Sequence, residues 1–201
     1  MSACPPQKSF AFLQAEGFDV VRSKHATSED AAVAAACEIG YPVVLKLNAL
    51  DVTHKSGVGG VHLDLKTDDD VRAAYGVIMK IEAEHDGVLV SAMAAPGREV
   101  IVGVTRDLQF GHAVMFGLGG TLVEVLRKVS FRIVPFGDKD AEALIGEITE
   151  RGNDALKALL VQVSELVERH PEIEEMDLNP VLVYDKGLTI VDARIVRPSQ
   201  S

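Results

Sequence analysis

Tryptophan is absent from the 201-residue chain, aromatic residues make up 5% and cysteine occurs twice. So thin an aromatic supply does not furnish the stacking platforms that hold single-stranded nucleic acid. Cys4 and Cys37 stand alone; they build neither a disulfide framework nor a cysteine-based zinc site, and they fit a reducing cytoplasm. Basic residues are also few, with 20 Lys and Arg against 30 Asp and Glu and a net charge of −10. That balance argues against the basic face of a generic nucleic-acid binder, but leaves room for a local cationic pocket that takes a small anion. Long apolar runs are lacking too. The longest uncharged stretch, Leu108 to Val123, is too short to span a bilayer and holds Gln109, His112 and four glycines. The opening MSACPPQKSF has no basic segment followed by an apolar core, so no secretory signal is expected. The expectation is a cytoplasmic protein with neither a membrane nor a nucleic-acid partner.

What is present is 47% hydrophobic and 25% charged, enough for one ordinary domain or two small lobes. Apolar spacing alternates between helical and strand periods, which predicts mixed α and β structure. Helices are expected over Gln7–Glu16, Ser28–Ile39, from Thr67 to about Glu84, Asp138–Glu150 and Asp154–His170. Thr27 or Ser28 and Thr67 supply caps, acidic residues fill the first turns, and Gly17 and Gly40 are stops. Strands are expected over Pro42–Asn48, Val61–Leu65, Gly87–Met93, Glu99–Thr105, His112–Phe116, Phe131–Phe136, Pro180–Asp185 and Leu188–Arg194. Pro96-Gly97 is read as the turn of one hairpin and Lys186-Gly187 as the turn of another. Prominent hairpins do not suit a purely parallel, doubly wound sheet.

Two groups of residues carry chemistry. In the first, Ser56-Gly57-Val58-Gly59-Gly60 lets backbone N–H groups approach an anion, though it matches neither a Walker loop nor a dinucleotide fingerprint. Alternation puts Lys46 opposite Val43, Leu45 and Leu47 in an apolar strand, where its charge needs an anion or a route to water. His54 and Lys55 add donors beside the loop. The loop could equally be a plain turn and the lysine a snorkelling one. In the second group are Asp177, Asn179 and Asp192. A two-residue Lys186-Gly187 loop would set Val181 opposite Asp192, leaving Asn179 and Asp192 as diagonal neighbours on one face, with Asp177 joining them. Oxygen ligands of this kind suit Mg²⁺, which would bridge the carboxylates to phosphate. The same residues could instead shape the turn before Pro180. Glu99 shares a face with Ile101 and Gly103 and could accept hydrogen bonds from ribose hydroxyls. Gly117-Leu118-Gly119-Gly120 is a further close-approach loop.

In order along the chain, the motifs resemble the ATP-grasp domain of ADP-forming acyl-CoA synthetases. The resemblance rests on Gly40 to Lys46, His54-Lys55-Ser56-Gly57-Val58-Gly59-Gly60, Glu99 to Gly111, Val114 to Gly120, Phe131-Arg132, Met176 to Pro180 and Val191 to Arg194. It runs from about Phe10 to Ile195, and the succinyl-CoA synthetase β subunit shares a thinner version. It implies an ATP-grasp fold of α+β class, with lobes of about 1–92 and 93–201 gripping the nucleotide and mixed or antiparallel sheets flanked by helices. Lys46 would contact the α and β phosphates. Lys55, Ser56, Gly57, Gly59 and Gly60 would cover the phosphates, and Ser91 to Met93 would form the hinge beside adenine. Glu99 would take the ribose, and Asn179 and Asp192, with Asp177 nearby, would hold Mg²⁺. His54 would be a phosphate relay, or simply a hydrogen-bonded loop histidine.

The family interconverts acyl-CoA, ADP and phosphate with acid, CoA and ATP through a phosphohistidine on an α part. The resemblance therefore implies a β subunit in a hetero-oligomer whose α subunit carries the CoA-binding and phosphohistidine domains. Two features depart from the family pattern. Gly57 stands where an Asp is common, and only Arg151-Gly152 remains of a Gly-x-Arg-Gly element between the late helices. A non-catalytic, nucleotide-binding or regulatory module is the alternative those departures favour.

Overall fold

The computed structural model describes residues 2–49, 59–120, 128–150 and 153–198. Among them are eleven strands and five helices in two antiparallel sheets. The chain divides into two units. The smaller comprises Pro5–Ala11 and Val21–Ala95, and the larger Met1–Cys4, Phe12–Val20 and Pro96–Ser201. Helix α1 (Pro6–Ala15) contributes its first half to one and its second to the other.

The smaller unit is a four-stranded sheet in the order β2 (Ser23–Ala26), β5 (His85–Ala92), β3 (Val43–Ala49), β4 (Val61–Leu65). Helices α2 (Glu29–Ile39) and α3 (Asp68–Ile78) share its core. Both start where a side chain satisfies an otherwise unpaired N–H. Ser28 Oγ accepts from Ala31 N at 3.2 Å, and Thr67 and Asp70 form a reciprocal capping box. Ala32 and Ala36 of α2 and Val71, Ala74 and Ile78 of α3 meet Val43, Leu45 and Leu47 of β3 and Val88 and Val90 of β5. Helix α3 ends at Ile78, not near Glu84. Lys80 and Ile81 N–H groups bond the Val77 and Ile78 carbonyls at 3.2 and 3.0 Å, and that tight turn packs Ile81 on the core.

The larger unit has a seven-stranded sheet. Its main path runs β1 (Ser2–Ala3), β11 (Ala193–Arg197), β9 (Glu175–Val183), β6 (Arg98–Asp107), β7 (Gly111–Leu118), β8 (Val129–Ile133), with β10 (Leu188–Ile190) paired to β9. Helix α4 (Asp138–Ile148) packs on β7 and β8, and α5 (Asp154–Arg169) on α4 and β7. Val100, Val102, Val114 and Phe116 are fully buried, as are Leu144, Leu156, Leu160 and Val163 of the helices. No described helix is long and apolar enough to cross a membrane.

Other sequence expectations change as well, among them the strand expected over Leu188–Arg194, which is divided between β10 and β11. The strands either side of Pro96-Gly97 do not form a hairpin: β5 pairs with β2 and β3 on its two sides and β6 with β7 and β9, so this segment connects two sheets. The expected strand Phe131–Phe136 is found at Val129–Ile133, ahead of Pro135. The last hairpin turns through four residues, since Val183 pairs with Leu188 and the Tyr184 N–H bonds the Gly187 carbonyl at 3.2 Å.

Gly87 in β5 has φ +74, and a Cβ built there would lie 2.2 Å from the Ala26 carbonyl oxygen of β2. Gly87→Ala combines left-handed strain with a backbone clash. It is expected to cost more than the ~1–2 kcal/mol of the strain alone, read as a lowered urea midpoint.

Candidate functional site

The smaller unit positions Lys46 by simple alternation. Val43, Leu45 and Leu47 enter the helical core, which leaves Val44, Lys46 and Asn48 on the other face of β3. Lys46 is only 7% exposed there, paired across the sheet with Val61 and Leu89. Asn48 accepts from Gln7 N at 3.3 Å and donates to the Asp86 carbonyl at 3.4 Å, tying the start of α1 to this face. Ser91 pairs with Val44 and so shares the Lys46 face. Its hydroxyl is shielded and has no hydrogen-bond partner among the described residues. Met93 follows the strand, partly exposed, with its N–H bonded to the Pro42 carbonyl at 3.0 Å.

The glycine-rich loop enters the described residues at Gly59, which has φ +73 and whose carbonyl meets His62 Nε2 at 3.1 Å. Gly60 is buried, and its carbonyl accepts from Leu47 N at 2.8 Å, one residue beyond Lys46. That bond joins the loop's end to the lysine's strand. His54, Lys55, Ser56 and Gly57 lie outside the described residues.

In the larger unit Glu99 is exposed at the start of β6, where a second glycine loop closes on it. Gly119 N–H bonds the Glu99 carbonyl at 2.8 Å, and a Cβ at Gly119 would stand 2.9 Å from the Glu99 carbonyl carbon. A Cβ on Gly120 would be 3.1 Å from Glu99 Oε2. Glycine is therefore what lets this loop settle against the carboxylate.

The carboxylate group is formed by β9 and the chain entering β11. Asn179 N–H bonds the Asp192 carbonyl at 3.2 Å, and the flanking pairs are Val181 with Ile190 and Leu178 with Ala193. Asn179 and Asp192 thus lie directly across from each other, not diagonally. The four-residue turn shifts the pairing by two residues, and a shift of two preserves the face. Asp177 pairs with Arg194 on one side and Gly103 on the other.

Asp177, Asn179 and Arg194 line a cavity of about 470 Å³ on the open face of the sheet. Ile101, Gly103, Met115 and Phe131 form its apolar part, with Thr105 and Glu175 at its polar side. Desolvation in this cavity pushes the Asp177 carboxyl above its ordinary range. The charge of Asp192 adds to the rise, and Arg194 partly offsets it. Among the described residues no three His, Cys, Asp or Glu side chains converge, so the cluster is two carboxylates and an amide. An all-oxygen donor set in which two like charges are held together fits a hard divalent cation whose remaining ligands are water and phosphate. Of the apolar lining, period two placed only Ile101 and Gly103 on a shared face in the sequence. Arg194 carried a signal that went unused: it follows Asp192 by two residues.

A carboxyl whose folded-state pKa is raised destabilises the fold wherever it must ionise. Below its unfolded-state pKa the penalty is absent; it grows as pH rises and is complete above the folded-state value. Asp177→Asn is therefore expected to raise the ligand-free melting temperature at pH 7. The gain should shrink as pH falls towards the ordinary carboxylate range, and an unchanged gain at low pH would contradict the cause given.

An ATP-grasp domain model matches residues 2–196. The chain is 43% identical over 202 residues to the β subunit of acetate–CoA ligase [ADP-forming] I of Pyrococcus furiosus, covering 92% of this chain and 87% of that one. It is 42% identical to acetate–CoA ligase [ADP-forming] II of Archaeoglobus fulgidus, with 94% of this chain matching 29% of that longer one. Among solved structures, the dinucleotide-forming acetyl-coenzyme A synthetase 1 of Ca. Korarchaeum cryptofilum superposes with a TM-score of 0.83 at 40% identity, covering 97% of this chain and 92% of that one. It was solved with coenzyme A and Mg-AMPPCP, its phosphohistidine segment pointing towards the nucleotide-binding site. The chain belongs to the ATP-grasp family, in the branch that includes the β subunits of ADP-forming acetate–CoA ligases.

Proposed function

We propose that this chain is the nucleotide-binding β subunit of an ADP-forming acyl-CoA synthetase. It binds Mg-ADP or Mg-ATP and exchanges a phosphoryl group with a phosphohistidine on an α subunit that also binds CoA. The net reaction converts acyl-CoA, ADP and phosphate to acid, CoA and ATP. The observation that carries this reading is the union of Asp177, Asn179 and Asp192 on one sheet face in a chain of this family. The 29% share of the longer Archaeoglobus relative supports a partner, since one polypeptide there carries this region together with much more.

In this reading Lys46 meets the inner phosphates, and the loop Lys55, Ser56, Gly57, Gly59 and Gly60 covers them. Ser91 and Met93 flank the base, Glu99 takes the ribose, and His54 relays phosphate. Asn179, Asp192 and Asp177 hold Mg²⁺, which when bound neutralises charge on the phosphate oxygens. Phosphoryl transfer is promoted chiefly by positioning and charge stabilisation, which a buried lysine and loop N–H groups can provide.

Two outcomes test the proposal. Mg-ADP at 100 times its dissociation constant adds about 2.7 kcal/mol to a folded protein that binds it, so the melting temperature should rise only when Mg²⁺ is present. With the α subunit supplied, Lys46→Ala should lower turnover by about 10²–10³-fold while leaving the ligand-free melting temperature near that of the wild type. A normal rate in that variant would remove Lys46 from the mechanism. Nucleotide binding without any turnover would identify a non-catalytic module.

A further inference from the structure

Among the described residues, Arg194 and Arg197 are the arginines with a shielded guanidinium nitrogen that has no hydrogen-bond partner. Arg72, Arg106 and Arg169 hydrogen-bond carboxylates at 2.7, 2.8 and 2.9 Å. Arg22 and Arg98 donate to a carbonyl and a hydroxyl, and Arg132 pairs with Glu147. Arg197, with Nε and Nη2 in that state, stacks on Phe12, its guanidinium carbon 4.1 Å from the ring centroid, and does not line the cavity of the carboxylate cluster. The Arg194 guanidinium approaches Glu175 only to 3.6 Å, beyond hydrogen-bond reach, and its Nε is shielded from solvent with no hydrogen-bond partner. Its donor fork is largely unspent.

The place it occupies says what the fork suits. Arg194 lies directly across from Asp177 and two residues after Asp192, so it shares the face of the carboxylate cluster. It is the one cationic side chain among the described residues lining that cavity. Its ionic neighbours there are Glu175 and Asp177 on β9 and Asp192 before β11. A divalent cation on Asp177, Asn179 and Asp192 would offset their charge and leave the guanidinium available for a further anion. A planar guanidinium matches phosphate, as it does carboxylate, with two parallel hydrogen bonds, and phosphate is the anion a nucleotide brings to this site.

We infer that Arg194 binds the outermost phosphate of a nucleoside triphosphate and so distinguishes triphosphate from diphosphate at this site. The inference rests on the nucleotide reading above, in which Lys46 takes the inner phosphates. Arg194 then acts on substrate directly, beside the cation ligands.

The test is the affinity of the wild type, R194M and R194K for Mg-ATP and Mg-ADP, measured by titration calorimetry. Charge-assisted hydrogen bonds of this kind correspond to about 10–100-fold in affinity. R194M should lose that much for Mg-ATP and less than about threefold for Mg-ADP. R194K keeps the charge without the fork and should fall between, and it carries the test if R194M does not fold. Equal losses for the two nucleotides would assign Arg194 to the cation site or to the fold and overturn the inference. Unchanged affinity for both would also overturn it. A wild type that binds neither nucleotide would overturn the nucleotide reading itself, and the inference with it.

Discussion

Met176 and Leu178 of β9 and Ala193 and Ile195 of β11 are buried, and their burial fixes the register on which the larger unit's site depends. Side chains alternate along a strand, so driving these residues into the core drives Asp177, Asn179 and Arg194 to the opposite face. A slip of one residue would exchange the two sets and place charges in the buried core, a cost far beyond that of any surface pair. The apolar pattern thus enforces a polar juxtaposition that electrostatics alone would oppose. Two carboxylates and a guanidinium are brought together because their neighbours in sequence must leave water.

The same logic places Lys46 in the smaller unit. Val43, Leu45 and Leu47 anchor β3 in the helical core, and Lys46 is carried to the other side together with Asn48. Gly60 accepts a bond from Leu47 N, so the loop's end is joined to the same strand. Lys46, Asp177, Asn179 and Arg194 sit on strands and Asp192 immediately precedes one, which suits groups that must hold charge in a fixed geometry. The raised pKa of Asp177 is the energetic trace of that arrangement: the fold retains a carboxylate where it is less stable than it would be in water.

Local features were legible in the sequence. Ser28 and Thr67 cap their helices because capping needs only residues three apart, and the alternation of Val43 to Leu47 gave the orientation of Lys46 directly. The shared face of Asn179 and Asp192 was legible for a different reason. The assumed turn was two residues too short, yet an even shift keeps the face, so the juxtaposition survived a wrong register. Pairing between distant strands was not legible. The segments flanking Pro96-Gly97 looked like a hairpin because each alternates, and nothing local shows that β5 and β6 already have partners on both sides. The approach of Gly119 to Glu99 has no signature beyond the glycine itself. The place of Arg194 opposite Asp177 was not legible, because an arginine near a strand end resembles any solvated charge until its opposite neighbour is known.

The central claim is that the β9–β11 register builds a cation site that works with nucleotide. Mn²⁺ substitutes for Mg²⁺ at oxygen sites and is observable by electron paramagnetic resonance. The measurement is a Mn²⁺ titration with and without ADP, on the wild type and on Asp192→Ala. The account predicts tight protein-bound Mn²⁺ that depends on ADP and is lost in Asp192→Ala. A spectrum in the wild type identical to that of Mn²⁺ and ADP free in solution, or bound Mn²⁺ that persists undiminished in Asp192→Ala, would contradict it.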